Sequence, residues 1–553
     1  MGHEVPRYSD VFASFSAEKW AAELAGDLRK GINPCIECCD RYADSDRVAL
    51  RYEDKDARDS TILTYRELVR RSHQLALFLK EQGIKPGDRV ACMLPRIPAL
   101  LVCLMGIWRL GAVFQPMFTA FGPKAIEHRV RTAETKFIIT DTENRPKLDE
   151  VPDCPPIAIV LKNGEERTHR ADLDFRAEVD RQAGKLAPAL FGADDPIMMM
   201  FTSGTTGLAK GVPVPAKAIL SFLAYTRYSV DLRPDDSFWS IADPGWAYGL
   251  YYGVIGPMMQ GNSILFYDGA FTVDSAYQVL DKYKVTNLIG APTAYRLLIA
   301  AGADRAKFLK GRLRVVSSAG ETLNPKVIEW FREHLNCNIH DHYGQTETGM
   351  LLGNHHGLAH PVRMGSAGLA VPGYRAAVVD EQGNELPAGK PGILATDRSR
   401  SSLAWFQGYW KQPTKIFVGN YQLTGDTVEL NDDGSISFLG RDDDIITSAG
   451  YRIGPYEVES ALIEHEAVME SACVGKPDPE RTEVVKAFVV LKNGYEPNTR
   501  LAEELQQFVK RRLSAHAYPR EVEFTQQLPK TASGKIQRFL LRDQEISKAA
   551  AKR

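Results

Sequence analysis

The spacing of apolar positions divides the chain into two stretches of different character. Over the first 440 residues, helical faces alternate with short apolar runs. Leu68, Ser72, Leu75, Ala76 and Leu79 mark one helical face, opened by a capping-box signature at Thr64 and Glu67 and stopped by Gly83. The runs 88–94 (DRVACML), 111–117 (GAVFQPM) and 136–141 (KFIITD) predict strands, with a buried helix over Ile97–Leu110. Strands separated by helices of this length imply βαβ units and a mostly parallel, covered sheet. Further on, 285–292 (VTNLIGAP), 313–320 (LRVVSSAG) and 337–344 (CNIHDHYG) repeat the strand pattern, each ending in small or polar residues. Ligands of open α/β sheets bind beyond the carboxyl ends of strands. The tips SSAGET and DHYGQTET, separated by one predicted helix (Pro325–Leu335), therefore form a candidate nucleotide pocket.

Around Arg441 the pattern changes. The charged and Gly-rich stretch RDDDIITSAGYRIGP leads into a predicted helix (Tyr456–His465) and a strand pair (Ser471–Gly475 and Val484–Leu491). A second helix (Leu501–Leu513) and a strand (Glu521–Thr525) follow. That is a compact α+β unit of roughly a hundred residues. The expected organisation is a large α/β domain of βαβ type over 1–440 and a small α+β domain over 441–553.

Composition narrows the classes of partner. Of 553 residues, 44% are hydrophobic and 25% charged, as in an ordinary globular protein. Sixty-eight basic residues against seventy acidic ones leave a net charge of −2, so no global field draws nucleic acid or an anionic membrane. Any polyanionic ligand must be met locally. The N-terminus lacks a basic or apolar leader and carries Asp10, Glu18 and Glu23, which argues against export and transit signals. Pro6 stands where myristoylation needs Ser or Thr. The uncharged apolar run Ile97 to Trp108 is too short to span a bilayer. Eight cysteines without framework spacing fit a reducing compartment, and a cytoplasmic location is expected. Cys35, Cys38 and Cys39 find no second ligand pair to close a tetrahedral metal site, so they read as packed thiols in a helix. His355 and His356 read as surface or loop residues rather than ligands.

Candidate chemistry lies in a handful of loops. TSGTTGLAKG (202–211) follows the apolar run Ile197–Phe201: its glycines let the backbone approach a ligand, its hydroxyls donate, and Lys210 adds charge. A polyphosphate needs those features, yet the spacing is not that of a P-loop NTPase. YGQTETG (343–349) sets a ring, a hydroxyl and a carboxylate within five residues. Tyr343 could stack on a base, Thr346 bond a phosphate and Glu347 hold a magnesium ion. TGD (424–426) offers Asp426 to ribose hydroxyls, and GRDDD (440–444) adds Arg441. Lys535, in PKTASGKIQR (529–538), reads by itself as a solvated charge on a mobile loop.

Taken together and in this order, these motifs resemble the adenylate-forming superfamily of acyl-CoA synthetases, carrier-protein adenylation domains and luciferases. The likeness covers nearly the whole chain. YGQTETG, SAGYRIGP, DPERTEVVKAFVVL and SGKIQR look most like the medium-chain acyl-CoA synthetase branch, with Ala209 standing where that branch usually has proline. The resemblance implies an AMP-forming ligase that joins a carboxylic acid to coenzyme A through an acyl-adenylate, using ATP and magnesium.

It also implies residue roles. Thr202, Ser203, Gly204, Thr205, Thr206, Gly207 and Lys210 would wrap the ATP phosphates, and Gly320, Glu321 and Thr322 would line the adenine pocket. Asp341, His342, Tyr343, Gly344, Gln345 and Thr346 would complete that pocket, Glu347 would bind magnesium, and Asp426 with Arg441 would hold the ribose. Lys535 would reach the carboxylate and α-phosphate. The small domain would then rotate on a hinge at Asp443, bringing in the loop Ala449, Gly450, Tyr451 and Arg452. Arg452, Arg481 and Lys510 would meet the coenzyme A phosphates and nucleotide. Lys535, exposed on its loop, would also be a target for a lysine acetyltransferase.

Trp246, Ala247, Tyr248, Ala319 and Gly344 would form the acyl pocket. Acetyl-CoA synthetases carry tryptophan at the position of Gly344, so its absence implies space for short-to-medium acids, branched or aromatic ones included, with acetate a poor substrate. Tyr248 replaces a smaller threonine and would shorten that space. Two other readings stay open: an enzyme loading a carrier-protein thiol, and a non-catalytic sensor of acyl-adenylates or nucleotides.

Overall fold

The computed structural model describes residues 5–55, 60–162, 165–167, 169–202, 208–441, 444–448, 451–478, 481–513, 517–531 and 534–550. A large α/β domain is followed by a smaller one with its own core, and the large domain holds more than the single parallel sheet its apolar runs suggested. One sheet has seven strands in the order Leu173–Asp174, Ile157–Val160, Phe137–Asp141, Arg89–Met93, Val113–Pro116, Pro196–Phe201, Gly211–Pro215. All neighbours are parallel except the last pair. The second runs Phe238–Ser240, Asn287–Gly290, Val315–Ala319, Ile339–Gln345, Gly349–Gly353, Leu369–Ala370, parallel through the first four. Residues 376–441 build a third, antiparallel sheet, which period-two alternation marks only weakly because its strands are buried irregularly.

The helix predicted after Thr64 runs Tyr65–Glu81, and the Thr64 hydroxyl accepts from the Glu67 amide at 3.2 Å. Glu67 itself is drawn to Arg71 (3.2 Å), an i,i+4 partner on the helix surface. The next helix, Pro98–Leu110, crosses the first closely: a Cβ on Gly106 would stand 2.7 Å from Leu75, so the contact tolerates no side chain there. Cys35 and Cys38 lie on the helix Pro34–Cys38 with Cys39 as its cap, all three fully buried.

His355 and His356 lie in the loop after Gly349–Gly353, as expected of loop residues, but they are not on the surface. His355 is 2% exposed and its Nδ1 is hydrogen-bonded to Ser229 Oγ, while the His356 ring stacks on His340 at 3.8 Å. Burial pushes the His340 ring down to about 4 and His342 to about 3, so these imidazoles are neutral. Among the described residues no cluster of His, Cys, Asp and Glu could hold a metal.

The smaller domain pairs Thr482–Leu491 with Val468–Asp478 on one side and Ile446–Ser448 and Glu521–Phe524 on the other. Helices Pro455–Ile463 and Thr499–Arg512 cover one face through Val458, Leu462, Leu505 and Val509. Leu528 and Leu541 close the other face over Phe488 and Val490. No helix among the described residues is long and apolar enough to cross a membrane.

Candidate active site

A cleft of about 780 Å³ lies where the parallel strand tips, the antiparallel sheet and the smaller domain meet. Thr202, Lys210, Gly320, Glu321, Thr322, the run Asp341–Glu347, Asp426, Arg441 and Lys535 all border it. Sheet register brings two of these together across the chain: Asp426 and Arg441 are direct partners in the antiparallel pair Tyr421–Leu430 and Ile436–Arg441. Burial raises the Asp426 carboxyl, and the Arg441 charge opposes that shift. Asp426 also accepts from the Tyr343 hydroxyl and from Gln345 Nε2 at 2.8 Å.

The other acids have local partners. Glu321 accepts from Thr293 Oγ1 at 2.9 Å and from Arg296 at 3.0 Å. Asp341 accepts from the Leu323 amide at 3.1 Å, its other oxygen is buried without a partner, and burial pushes the carboxyl up to about 8. That shift favours the neutral form of Asp341. His342 turns its ring away, with Nδ1 2.6 Å from the Tyr225 hydroxyl and Nε2 against the Asn354 carbonyl. Glu347 is raised by burial, opposed by the Tyr409 hydroxyl bonded to it at 2.9 Å and by the charges of Lys210 and Lys535.

Thr202 and Lys210 close the neck of the glycine-rich loop: the Thr202 amide donates to the Lys210 carbonyl and the Lys210 amide to Thr202 Oγ1, both at 3.0 Å. Ser203, Gly204, Thr205, Thr206 and Gly207, between them, lie outside the described residues, as do Asp443, Ala449, Gly450 and the side chains of Tyr451 and Arg452.

Lys535 departs from the solvated-charge reading. Gly534, at φ +88°, makes the tight turn, and the Lys535 amide donates to Thr531 Oγ1 at 3.1 Å. The ammonium reaches into the cleft, where burial lowers its pKa and Asp426, Glu321 and Glu347 oppose the drop. It is not the exposed side chain that ready acetylation would call for.

Arg481 and Lys510 do not border this cleft. The Arg481 amide donates to Asp478, and the Lys510 ammonium sits 5.4 Å from the Tyr518 ring. Trp246 packs on Phe118 and Phe121, Ala319 is 1% exposed, and Tyr248 bonds Tyr225 at 3.3 Å. Gly344 borders the cleft. A Cβ there would stand 2.3 Å from the Gly349 carbonyl oxygen and 2.8 Å from Met350, so the neighbouring strand fills that direction. Tyr409, missed in the sequence, borders the cleft and touches both Glu347 and Lys210; its segment carries no spacing signal that would have marked it.

The fold is that of adenylate-forming enzymes. A crystal structure of a Brucella canis acyl-CoA synthetase is 55% identical, covers 98% of this chain and 100% of its own, and matches with a TM-score of 0.80. The anthranilate CoA ligase AuaEII with anthranoyl-AMP is 27% identical over 97% of this chain and 100% of its own, TM-score 0.86. An acetyl-coenzyme A synthetase of Bacillus subtilis is 35% identical over 99% of this chain and 96% of its own length. The mitochondrial acyl-coenzyme A synthetase ACSM4 of Rattus norvegicus is 37% identical over 89% and 86%. The AMP-binding enzyme model matches residues 39–410 and the AMP-binding enzyme C-terminal domain model residues 457–535. The chain belongs to the AMP-binding enzyme family.

Proposed function

We infer that this AMP-binding enzyme is an acid–thiol ligase. It is an AMP-forming acyl-CoA synthetase that uses ATP and coenzyme A. The observation that carries the reading of the site is Lys535. The smaller domain delivers its ammonium to the cleft that holds Asp426, Glu321 and Glu347. A desolvated cation there stabilises the charge that develops as a substrate carboxylate attacks the α-phosphorus and pyrophosphate leaves. No general base is needed, because the acid is already ionised near neutral pH.

In this reading Thr202–Lys210 holds the phosphates, the strand tips at Gly320–Thr322 and Asp341–Thr346 take the adenine, and Asp426 with Arg441 takes the ribose. The donor set at Glu347 fits magnesium: a hard, half-buried carboxylate next to Thr346 in the chain, whose raised pKa a cation would relieve. Glu347 would hold the ion, which screens phosphate charge when bound.

We place the domain boundary at about residue 440 with Asp443 as the hinge. Gly450, Arg452, Arg481 and Lys510 then serve coenzyme A once the small domain has turned. That Arg481 and Lys510 stand outside the cleft accords with a second arrangement for the thioester step. The acid is short to medium in length, branched and aromatic acids included, with Tyr248 limiting the pocket. A cytoplasmic location and acetylation of Lys535 belong to the same reading, the latter requiring the lysine to leave the cleft.

Pyrophosphate exchange over a panel from acetate through octanoate, isobutyrate and benzoate tests the first half-reaction. Absence of exchange with every acid would favour a sensor. Thioester formation with a carrier protein but not coenzyme A would favour carrier loading.

A further inference from the structure

Lys210 and Glu347 bear opposite charges and face the same cleft, yet among the described residues no ion pair joins them. Left alone, an ammonium and a carboxylate in so confined a space would close on each other, and both would be withdrawn from a ligand. The side chain of Tyr409 engages both. Its hydroxyl donates to Glu347 Oε1 at 2.9 Å, and its ring carries the Lys210 ammonium 4.7 Å from the centroid.

The backbone around Tyr409 is held from several sides. Its amide donates to Thr414 Oγ1 at 2.9 Å, and its ring packs edge-on against Phe406 at 5.2 Å. The next residue, Trp410, donates its amide to the Gly211 carbonyl at 2.8 Å, immediately after Lys210. The Arg89 guanidinium lies over the Trp410 indole, and Lys411 pairs with Glu134. The segment is therefore fastened to the seven-stranded sheet, while the hydroxyl of Tyr409 points to the tip of the six-stranded one.

We propose that Tyr409 is a positioning residue that holds the carboxylate of Glu347 and the ammonium of Lys210 apart and in fixed relation, presetting the seat of a magnesium–triphosphate unit. This rests on the proposed roles of Glu347 and Lys210 and goes beyond them, because Tyr409 need touch neither metal nor nucleotide. Its hydroxyl and its ring act separately. The hydroxyl governs the magnesium-dependent part of ATP affinity, and the ring governs the part that persists without the metal.

Calorimetric titration of the full-length enzyme with ATP, with and without magnesium, reads both parts directly. Tyr409→Phe keeps the ring and should weaken ATP about tenfold in magnesium, the scale of one hydrogen bond to a charged group. Without magnesium it should change affinity by less than about twofold. Tyr409→Leu should weaken ATP under both conditions. On a Glu347→Gln background, Tyr409→Phe should have no further effect, since coupled residues fail to add. Partial misfolding would lower the titration stoichiometry and leave the ratio of affinities unchanged. Equal losses with and without magnesium for Tyr409→Phe, or full additivity with Glu347→Gln, would overturn the proposal. If Glu347→Gln keeps the magnesium increment, the metal assignment fails and takes this inference with it. If Glu347→Gln loses the increment and Tyr409→Phe keeps it, the role of Tyr409 alone is refuted.

Discussion

The ammonium of Lys326, on the large domain, donates to the carbonyl oxygen of Glu464 at 2.5 Å, capping the end of the small-domain helix Pro455–Ile463. A cation at a helix C-terminus meets both an orphan carbonyl and the negative end of the dipole. Nearby, the Tyr456 hydroxyl donates to the Leu323 carbonyl at 3.2 Å, a second contact in the same direction. Both would break if the small domain turned.

Lys326→Met should therefore slow adenylation while sparing thioester formation from a supplied acyl-adenylate. Lys326 is exposed, so the expected loss is only about two- to fivefold. Lys326→Arg should restore most of it. Single-turnover rates for the two half-reactions check this, and equal slowing of both would remove Lys326 from any role in the choice of pose.

Lys535→Ala should lower adenylation at least about a hundredfold, the scale for removing one preorganised donor. Thioester formation from the acyl-adenylate should largely survive. The half-reactions are read by pyrophosphate exchange and by thioester release. Their joint collapse would contradict separate duties for the two faces of the small domain.

Strand packing limits what can replace Gly344. Because a Cβ there meets the Gly349 carbonyl and Met350, Gly344→Ala should cost about 1–3 kcal/mol by overpacking. Turnover should fall for acids of every length, without a shift toward short ones. Tyr248→Ala, by contrast, should favour the longer acids. Denaturation midpoints, with kcat/KM for acetate, butyrate and hexanoate, decide the matter. A shift toward acetate in Gly344→Ala would restore Gly344 as the floor of the pocket.

The neutral histidines behind strand Ile339–Gln345 make stability pH-dependent. Their folded pKa values, about 4 for His340 and about 3 for His342, lie below the unfolded value near 6.5. Between those limits the unfolded chain binds more protons, so stability is complete above about pH 6.5 and drains away as pH falls toward 3. Each ring accounts for about 1–2 kcal/mol by pH 5. His340→Gln, which retains a donor for the Asn354 carbonyl, should flatten the fall of denaturation midpoint between pH 6.5 and 4. An unchanged slope would show that His340 is not protonated on unfolding.

Local chemistry was legible along the chain. Thr64 caps its helix, Pro98–Leu110 and Pro325–Leu335 form within a residue of their apolar patterns, and the strands at Val315–Ala319 and Ile339–Gln345 end at the predicted polar tips. The motif order, through family likeness, pointed to an adenylate-forming enzyme. Periodicity and turn residues act over a few positions, so one chain carries them openly.

The relations between distant segments belong to the tertiary structure. Register alone sets Asp426 opposite Arg441, and the docking of the smaller domain turns Lys535 from a loop charge into a desolvated cation. His355 and His356, polar residues in a polar-looking stretch, are packed by partners as far away as Ser229 and Val316. That a Cβ on Gly344 would meet its neighbour across the strand pair is likewise decided by packing. Tyr409 gave no local sign at all, because its contacts with Lys210 and Glu347 join three segments separated by more than sixty residues. Side-chain identity travels with the chain, whereas burial and juxtaposition exist only once distant elements have packed.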